Sequence, residues 1–223
     1  MCDSQVVRRP LSGLCAVVDV DVAERAGWRP IDLATAYLAG GARLLQLRAK
    51  TLSSGAFLDL ATHIVELARP AGATVIVNDR ADIARLSAAD GVHVGQDDLL
   101  ASAARAIVGR EATVGISTHT ESQLRAAALE PVTYMAIGPV FRTATKATGY
   151  APVGVEGVRT AAAIGRKAGL EVVAIGGITL QRAAGIISAG AAAVAVISDL
   201  LAHGNPEHRV RAYVRQLTEA ANV

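Results

Sequence analysis

The chain has 223 residues, 52% of them hydrophobic and 19% charged, with a net charge of +2. That is enough apolar material for one large core in a single domain. Aromatic residues make up only 3%, and there is no lysine-rich run, so the basic stripe and stacking platform of a nucleic-acid binder are both missing.

Short runs of Val, Ile and Leu alternate with Ala-rich helical stretches along the chain, and eight such pairs can be counted. The first run, 14 to 19, follows Arg8-Arg9 and is interrupted by Asp19 and Asp21 before it reaches the length of a signal peptide or membrane span. It reads as a first strand, with Trp28 as a packing anchor in the loop after it. Cys2 and Cys15 stand near the start without a Cys/His metal spacing, which suits buried or frayed thiols in a reducing cytoplasm.

The second run, 43 to 48, ends by placing Gln46, Arg48 and Lys50 at every second position, on one side of a strand. Two cations and an amide there make an anion site, since a phosphate requires opposite charge and planar donors. The plainer alternative is a charged, solvent-facing strand edge. A helix follows Ser53-Ser54, with Phe57, Leu60, Ala61, Ile64 and Leu67 at helical spacing and Pro70 closing it.

Strands are expected next at 74 to 78, 91 to 95, 112 to 117, 133 to 138, 171 to 176 and 192 to 197. The last helix opens on Asn205 and Pro206 and repeats Val210, Val214, Leu217 and Ala221. Each strand is apolar almost throughout, as strands buried on both faces are. Eight strand-helix units in one chain, with short connections and no linker, predict an α/β TIM barrel forming a single catalytic domain over 1–223, with a doubly wound open sheet as the alternative.

Chemistry-bearing residues collect at the strand ends. Asn78-Asp79 follows the third run, Gln96-Asp97-Asp98 the fourth, Ser117 the fifth, and Thr143, Thr145 and Lys146 the sixth; Gly176-Gly177 and Ile197-Ser198 close the last two. In a barrel this is the face on which sites are built. Asp79 and Asp98 follow neighbouring strands, which lie about 5 Å apart, so their carboxylates could share one cation. Oxygen ligands alone favour magnesium, which takes one or two carboxylates and fills its shell with water and phosphate oxygens. Either aspartate, or Asp97, could instead cap the helix that follows. Gly176-Gly177 and Ile197-Ser198 occupy the usual phosphate position of these barrels, or simply turn the chain.

Several spaced motifs now carry a resemblance: QLRAK at 46 to 50, VNDRADIA at 77 to 84, GVHVGQDDL at 91 to 99, GIST at 115 to 118, IGPVFRTATK at 137 to 146 and IGGIT at 175 to 179. In order and spacing the chain resembles the thiamine phosphate synthases over nearly its whole length. The resemblance implies a diphosphate-releasing transferase that joins hydroxymethylpyrimidine diphosphate to hydroxyethylthiazole phosphate. It implies that Gln46, Leu47, Arg48, Ala49, Lys50, Asn78, Ser117 and Lys146 hold the pyrimidine diphosphate, with Arg48, Lys50, Ser117 and Lys146 catalytic. Thr143, Ala144 and Thr145 would line the thiazole phosphate pocket, with Gly176, Gly177, Ile197 and Ser198 on its phosphate, and Asp79 and Asp98 would bind Mg2+.

Two positions depart from the family pattern. Ala49 stands where an acidic residue is common, and should point away from the site; the first strand reads Val17-Val18-Asp19 rather than ending in Thr-Asp. His93, within a strand, reads as a packed, hydrogen-bonded histidine. His119 stands in the Ser-x-His setting of the related thiazole tautomerase, which makes tautomerisation an alternative activity, and a non-catalytic barrel that binds thiamine intermediates is a third reading. His63, His203 and His208 read as exposed. Expected partners are small phosphorylated substrates, with neither nucleic acid nor membrane, and a homo-oligomer is compatible with the sequence.

Overall fold

The computed structural model describes residues 11–143, 145 and 149–221. Within them the elements run β1 (Gly13–Asp19), α1 (Val20–Arg25), α2 (Pro30–Ala39), β2 (Leu44–Arg48), α3 (Ser54–Ala68), β3 (Thr74–Asn78), α4 (Ala81–Leu86), β4 (Gly91–Val94) and α5 (Ala101–Val108). They continue with β5 (Thr113–Thr118), α6 (Glu121–Ala127), β6 (Tyr134–Ile137), α7 (Gly154–Ala168), β7 (Glu171–Ile175), α8 (Leu180–Ser188), β8 (Ala193–Val196), α9 (Ser198–Leu201) and α10 (Pro206–Ala221). All eight expected strands form, each parallel to its neighbours, and β1 pairs with both β2 and β8. The sheet therefore closes into the (β/α)8 barrel, and the open-sheet alternative is excluded.

Alternation along the strands sorts the apolar residues into two cores. Leu14, Ala16, Val18, Leu45, Leu47 and Val75 face the helices. Cys15, Val17, Leu44, Ile76, Tyr134, Ala136, Val173, Ala193 and Ala195 fill the bore. Burial there pushes the Cys15 thiol up to about 12, so it stays neutral. Cys2, Arg8 and Arg9 lie outside the described residues. Leu11 belongs to the bore cluster and its backbone N–H donates to the Glu171 carboxylate at 3.1 Å, closing the end where the strands begin. At the opposite end the inward positions turn polar, with Asp19, Gln46 and His93 all buried.

Not every apolar residue at helical spacing is buried. In α3 the buried residues are Phe57, Ala61, Ile64, Val65 and Ala68, while Leu60 is only half-buried and Leu67 is exposed. In a helix rich in Ala, Val and Leu, two neighbouring stripes are about equally apolar, and docking on the barrel chooses between them. In α10, Val210, Tyr213 and Leu217 are buried and Val214 half-buried; the side chain of Ala221 lies outside the described residues. Asn205 accepts from the His208 N–H at 2.9 Å, as expected of a cap. His63, His203 and His208 are exposed, and Trp28 packs against the outer core.

The carboxylate of Asp199, in α9, ties the barrel's closing elements together. It accepts from Arg209 Nη2 at 2.8 Å and the Tyr213 hydroxyl at 2.5 Å, both on α10, and from Leu180 N at 3.2 Å on α8. The Asp199 and Arg209 side chains are only 15% and 14% exposed, so removing one leaves the other charge unanswered. Asp199→Ala is expected to lower the unfolding free energy by about 3 kcal/mol, measured by urea denaturation.

Candidate active site

The mouth of the barrel is built from the last inward positions of the strands. Asp19 and Arg48 are register partners on β1 and β2, so both side chains enter the mouth side by side. Arg48 Nη1 donates to Asp19 Oδ2 at 2.5 Å, and the other Asp19 oxygen accepts from Val22 N at 3.0 Å, capping α1. Asp19 is 3% exposed. A carboxylate so buried needs both partners, and the pairing fixes one edge of the guanidinium while its remaining donors stay available to the cleft that Arg48 lines.

Lys50, just beyond β2, is ion-paired with Asp79. Asp79 has a positive φ of 65° and donates its N–H to the His93 carbonyl at 2.7 Å. Burial raises its pKa, the Asp98 carboxyl hydrogen-bonded beside it raises it further, and Lys50 opposes both. Asp98 also accepts from Gly95 N at 2.9 Å. The two carboxylates expected to share a cation are thus brought together. Neither is a helix cap: the N-cap positions are Arg80 for α4 and Leu100 for α5. Asp97 is exposed and caps neither. No group of three or more His, Cys, Asp or Glu suited to a metal occurs among the described residues.

Between these charged ends runs a buried polar chain. The Gln46 side chain stands beside the Tyr134 hydroxyl; that hydroxyl lies 2.9 Å from His93 Nδ1, and His93 Nε2 lies 2.8 Å from Ser117 Oγ. Asn78, in register with His93, lines the same cleft.

The opposite wall is formed by the ends of β7 and β8. Gly176 and Gly177 have φ values of 100° and 65°. A Cβ on Gly176 would lie 2.6 Å from Pro139 Cα, and one on Gly177 would lie 2.6 Å from the Arg142 carbonyl oxygen. Only glycine fits either position. Thr143 Oγ1 accepts from Thr145 N at 3.2 Å, and Thr145 Oγ1 lies 3.1 Å from Ser198 Oγ. Both threonines, Ile197 and Ser198 line the cleft, so hydroxyls and glycine backbone gather on one wall.

Of the expected site residues, Gln46, Arg48, Asn78, Ser117, Thr143, Thr145, Gly176, Gly177, Ile197 and Ser198 line one cleft. Lys50, Asp79 and Asp98 form their own cluster and are not among its lining residues. Leu47 and Ala49 pack in the outer core under the helices, as expected for Ala49, because alternate positions on a strand face opposite ways, so only their backbone is left for a ligand. Ala144 and Lys146 lie outside the described residues. Asp19 and Tyr134 belong to the site and were not expected there. Asp19 shares the inward strand-end position of Arg48, a signal legible in hindsight, whereas Tyr134 sits inside an apolar strand with nothing local to mark it. His119 also lines the cleft; its Nδ1 is 2.5 Å from the Gly138 carbonyl and its ring stacks on Tyr150 at 4.2 Å.

Fold and cleft together define a (β/α)8 barrel with polar groups on two walls of its mouth. The sequence pattern of the family described as thiamine monophosphate synthase matches residues 14–200. The chain belongs to that family of enzymes. It is 41% identical over 198 residues to the thiamine-phosphate synthase of Chlorobium luteolum, covering 89% of each chain. It is 42% identical over 194 residues to that of Moorella thermoacetica, covering 86% of this chain and 89% of the relative. The solved structure of a thiamine phosphate pyrophosphorylase from Pyrococcus furiosus superposes with a TM-score of 0.83 at 25% identity, over 94% of this chain and 96% of that one.

The raised pKa of Asp79 sets a pH dependence. A folded-state pKa above the unfolded one means that the native state holds the proton longer, so stability is lost as pH rises from the ordinary carboxylate range through the folded value. Asp79→Asn should therefore be more stable than the parent at neutral pH in metal-free buffer, with the gain vanishing at pH values where both forms are protonated. Thermal unfolding across a pH series measures it.

Proposed function

We propose that the protein joins hydroxymethylpyrimidine diphosphate to hydroxyethylthiazole phosphate, releasing diphosphate and thiamine phosphate. The observation that carries this reading is the pairing of two anion-suited walls in one mouth. Arg48 and Ser117 stand on one, with Lys50 two residues beyond Arg48 and paired with Asp79; Gly177, Thr145 and Ser198 stand on the other. Family membership supplies the identity of the substrates.

In the reaction the bond from the pyrimidine's methylene carbon to the diphosphate oxygen breaks, and both electrons leave on oxygen. Arg48, Lys50 and the Ser117 hydroxyl meet the charge that develops there, and Lys146 joins them on the strength of the sequence. Because Asp19 already holds Arg48, that cation needs little reorganisation when the bond breaks. The aminopyrimidine ring delocalises the positive charge left on carbon, and the thiazole nitrogen closes the new bond with its own lone pair. No proton has to be removed, so no general base is required.

Asp79 and Asp98 would hold Mg2+. Two carboxylates drawn together, one with a raised proton affinity, are a donor set that such an ion suits. Bound there, magnesium would neutralise part of the diphosphate's charge. The alternative of thiazole tautomerisation rests on His119, which lines the cleft. It gives no task to the cluster of Lys50, Asp79 and Asp98, and the synthase reading is preferred for that reason. A cytoplasmic location suits the buried Cys15 thiol, and among the described residues no helix is long and apolar enough to cross a membrane.

Purified protein incubated with magnesium and both substrates is expected to form thiamine phosphate and diphosphate in equal amounts. Lys50→Ala and Lys146→Ala should each lower kcat by about 100-fold or more, the usual effect of removing a preorganised charge stabiliser. Near-normal turnover in either variant would remove that residue from the mechanism, and tautomerisation of a thiazole phosphate without condensation would overturn the assignment.

A further inference from the structure

The resemblance sets Gln46 on the pyrimidine diphosphate and the proposed reaction uses Ser117, but neither gives a task to the two buried residues between them. His93 and Tyr134 are 6% and 3% exposed. His93, Gly115 and Tyr134 stand side by side in register on β4, β5 and β6. A Cβ on Gly115 would overlap the Tyr134 ring. The glycine is therefore what lets the ring lie across β5 and reach His93, their centroids 5.5 Å apart and their planes at 24°.

Four polar groups in one buried file must agree on a direction of donation, because the phenol and the serine each have one proton and a neutral imidazole has one. An anion in the cleft calls on Ser117 to donate, and that requirement sets one direction for the whole file. Gln46 Nε2 then donates to Tyr134, and Tyr134 donates to His93 Nδ1. The imidazole carries its proton on Nε2 and donates it to Ser117 Oγ. Ser117 keeps its own proton for the cleft, and the Gln46 amide oxygen is left to accept from a ligand. With the opposite direction, Ser117 would spend its proton on His93 and offer an anion only lone pairs.

We propose that Tyr134 and His93 are positioning residues that orient Ser117 as a donor toward the diphosphate and couple it to the seating of the aminopyrimidine on Gln46. The inference rests on the substrate assignment above, and its tests are chosen to fail separately from it. Long-range proton–nitrogen correlation of the imidazole rings in ligand-free protein, with His93 assigned from a His93→Gln variant, should show His93 protonated on Nε2. Tyr134→Phe, which keeps the ring, should weaken that preference.

In turnover, Tyr134→Phe should lower kcat about tenfold, the scale of one hydrogen bond, and leave KM for the thiazole phosphate unchanged. In a Ser117→Ala background the same change should cost nothing more. A wild-type His93 protonated on Nδ1, or an undiminished Tyr134→Phe penalty without Ser117, would overturn the relay. Absence of condensation by the wild type would instead overturn the substrate assignment, leaving the imidazole measurement to decide the relay.

Discussion

A closed sheet of eight strands encloses a bore with little room for solvent, and any polar side chain entering it must find its partner within the protein. Everything at the mouth follows from that demand. Asp19 answers to Arg48 and to the first turn of α1. Tyr134 answers to His93 and Gln46, and Ser117 to His93. Because each partner sits on a different strand, satisfying the polar groups also fixes how the strand ends are arranged around the cleft.

The two cationic side chains of β2 and its following loop illustrate how one motif divides its labour. Arg48 is 18% exposed and held by a buried carboxylate, whereas Lys50 is 45% exposed and set against Asp79. The first is a fixed donor in the manner of a planar guanidinium, and the second is a mobile point charge on a long stem. A phosphorylated ligand meeting both would be oriented by the arginine and followed by the lysine as its charge shifts.

Much of this was legible before any coordinates. Strands buried on both faces must be apolar throughout, so all eight stood out, and a parallel barrel gathers its strand ends, so Gln46, Arg48, Asn78, Ser117 and the two glycines could be assembled in advance. What stayed hidden depends on relations between strands. Tyr134 joins the site only because Gly115 lies beside it in register. In α3, Leu60 and Leu67 share the helical spacing but not the buried face, because its composition allows two stripes and only the barrel surface selects one.

The seal that Leu11 makes at the base of the bore turns the cleft into a blind well. Gln46 sits two residues deeper along its strand than Arg48, toward that floor. Anything that reaches Gln46 does so from the strand-end side, past Arg48. One leucine at the far end of the molecule thus leaves the cleft to be approached from a single side.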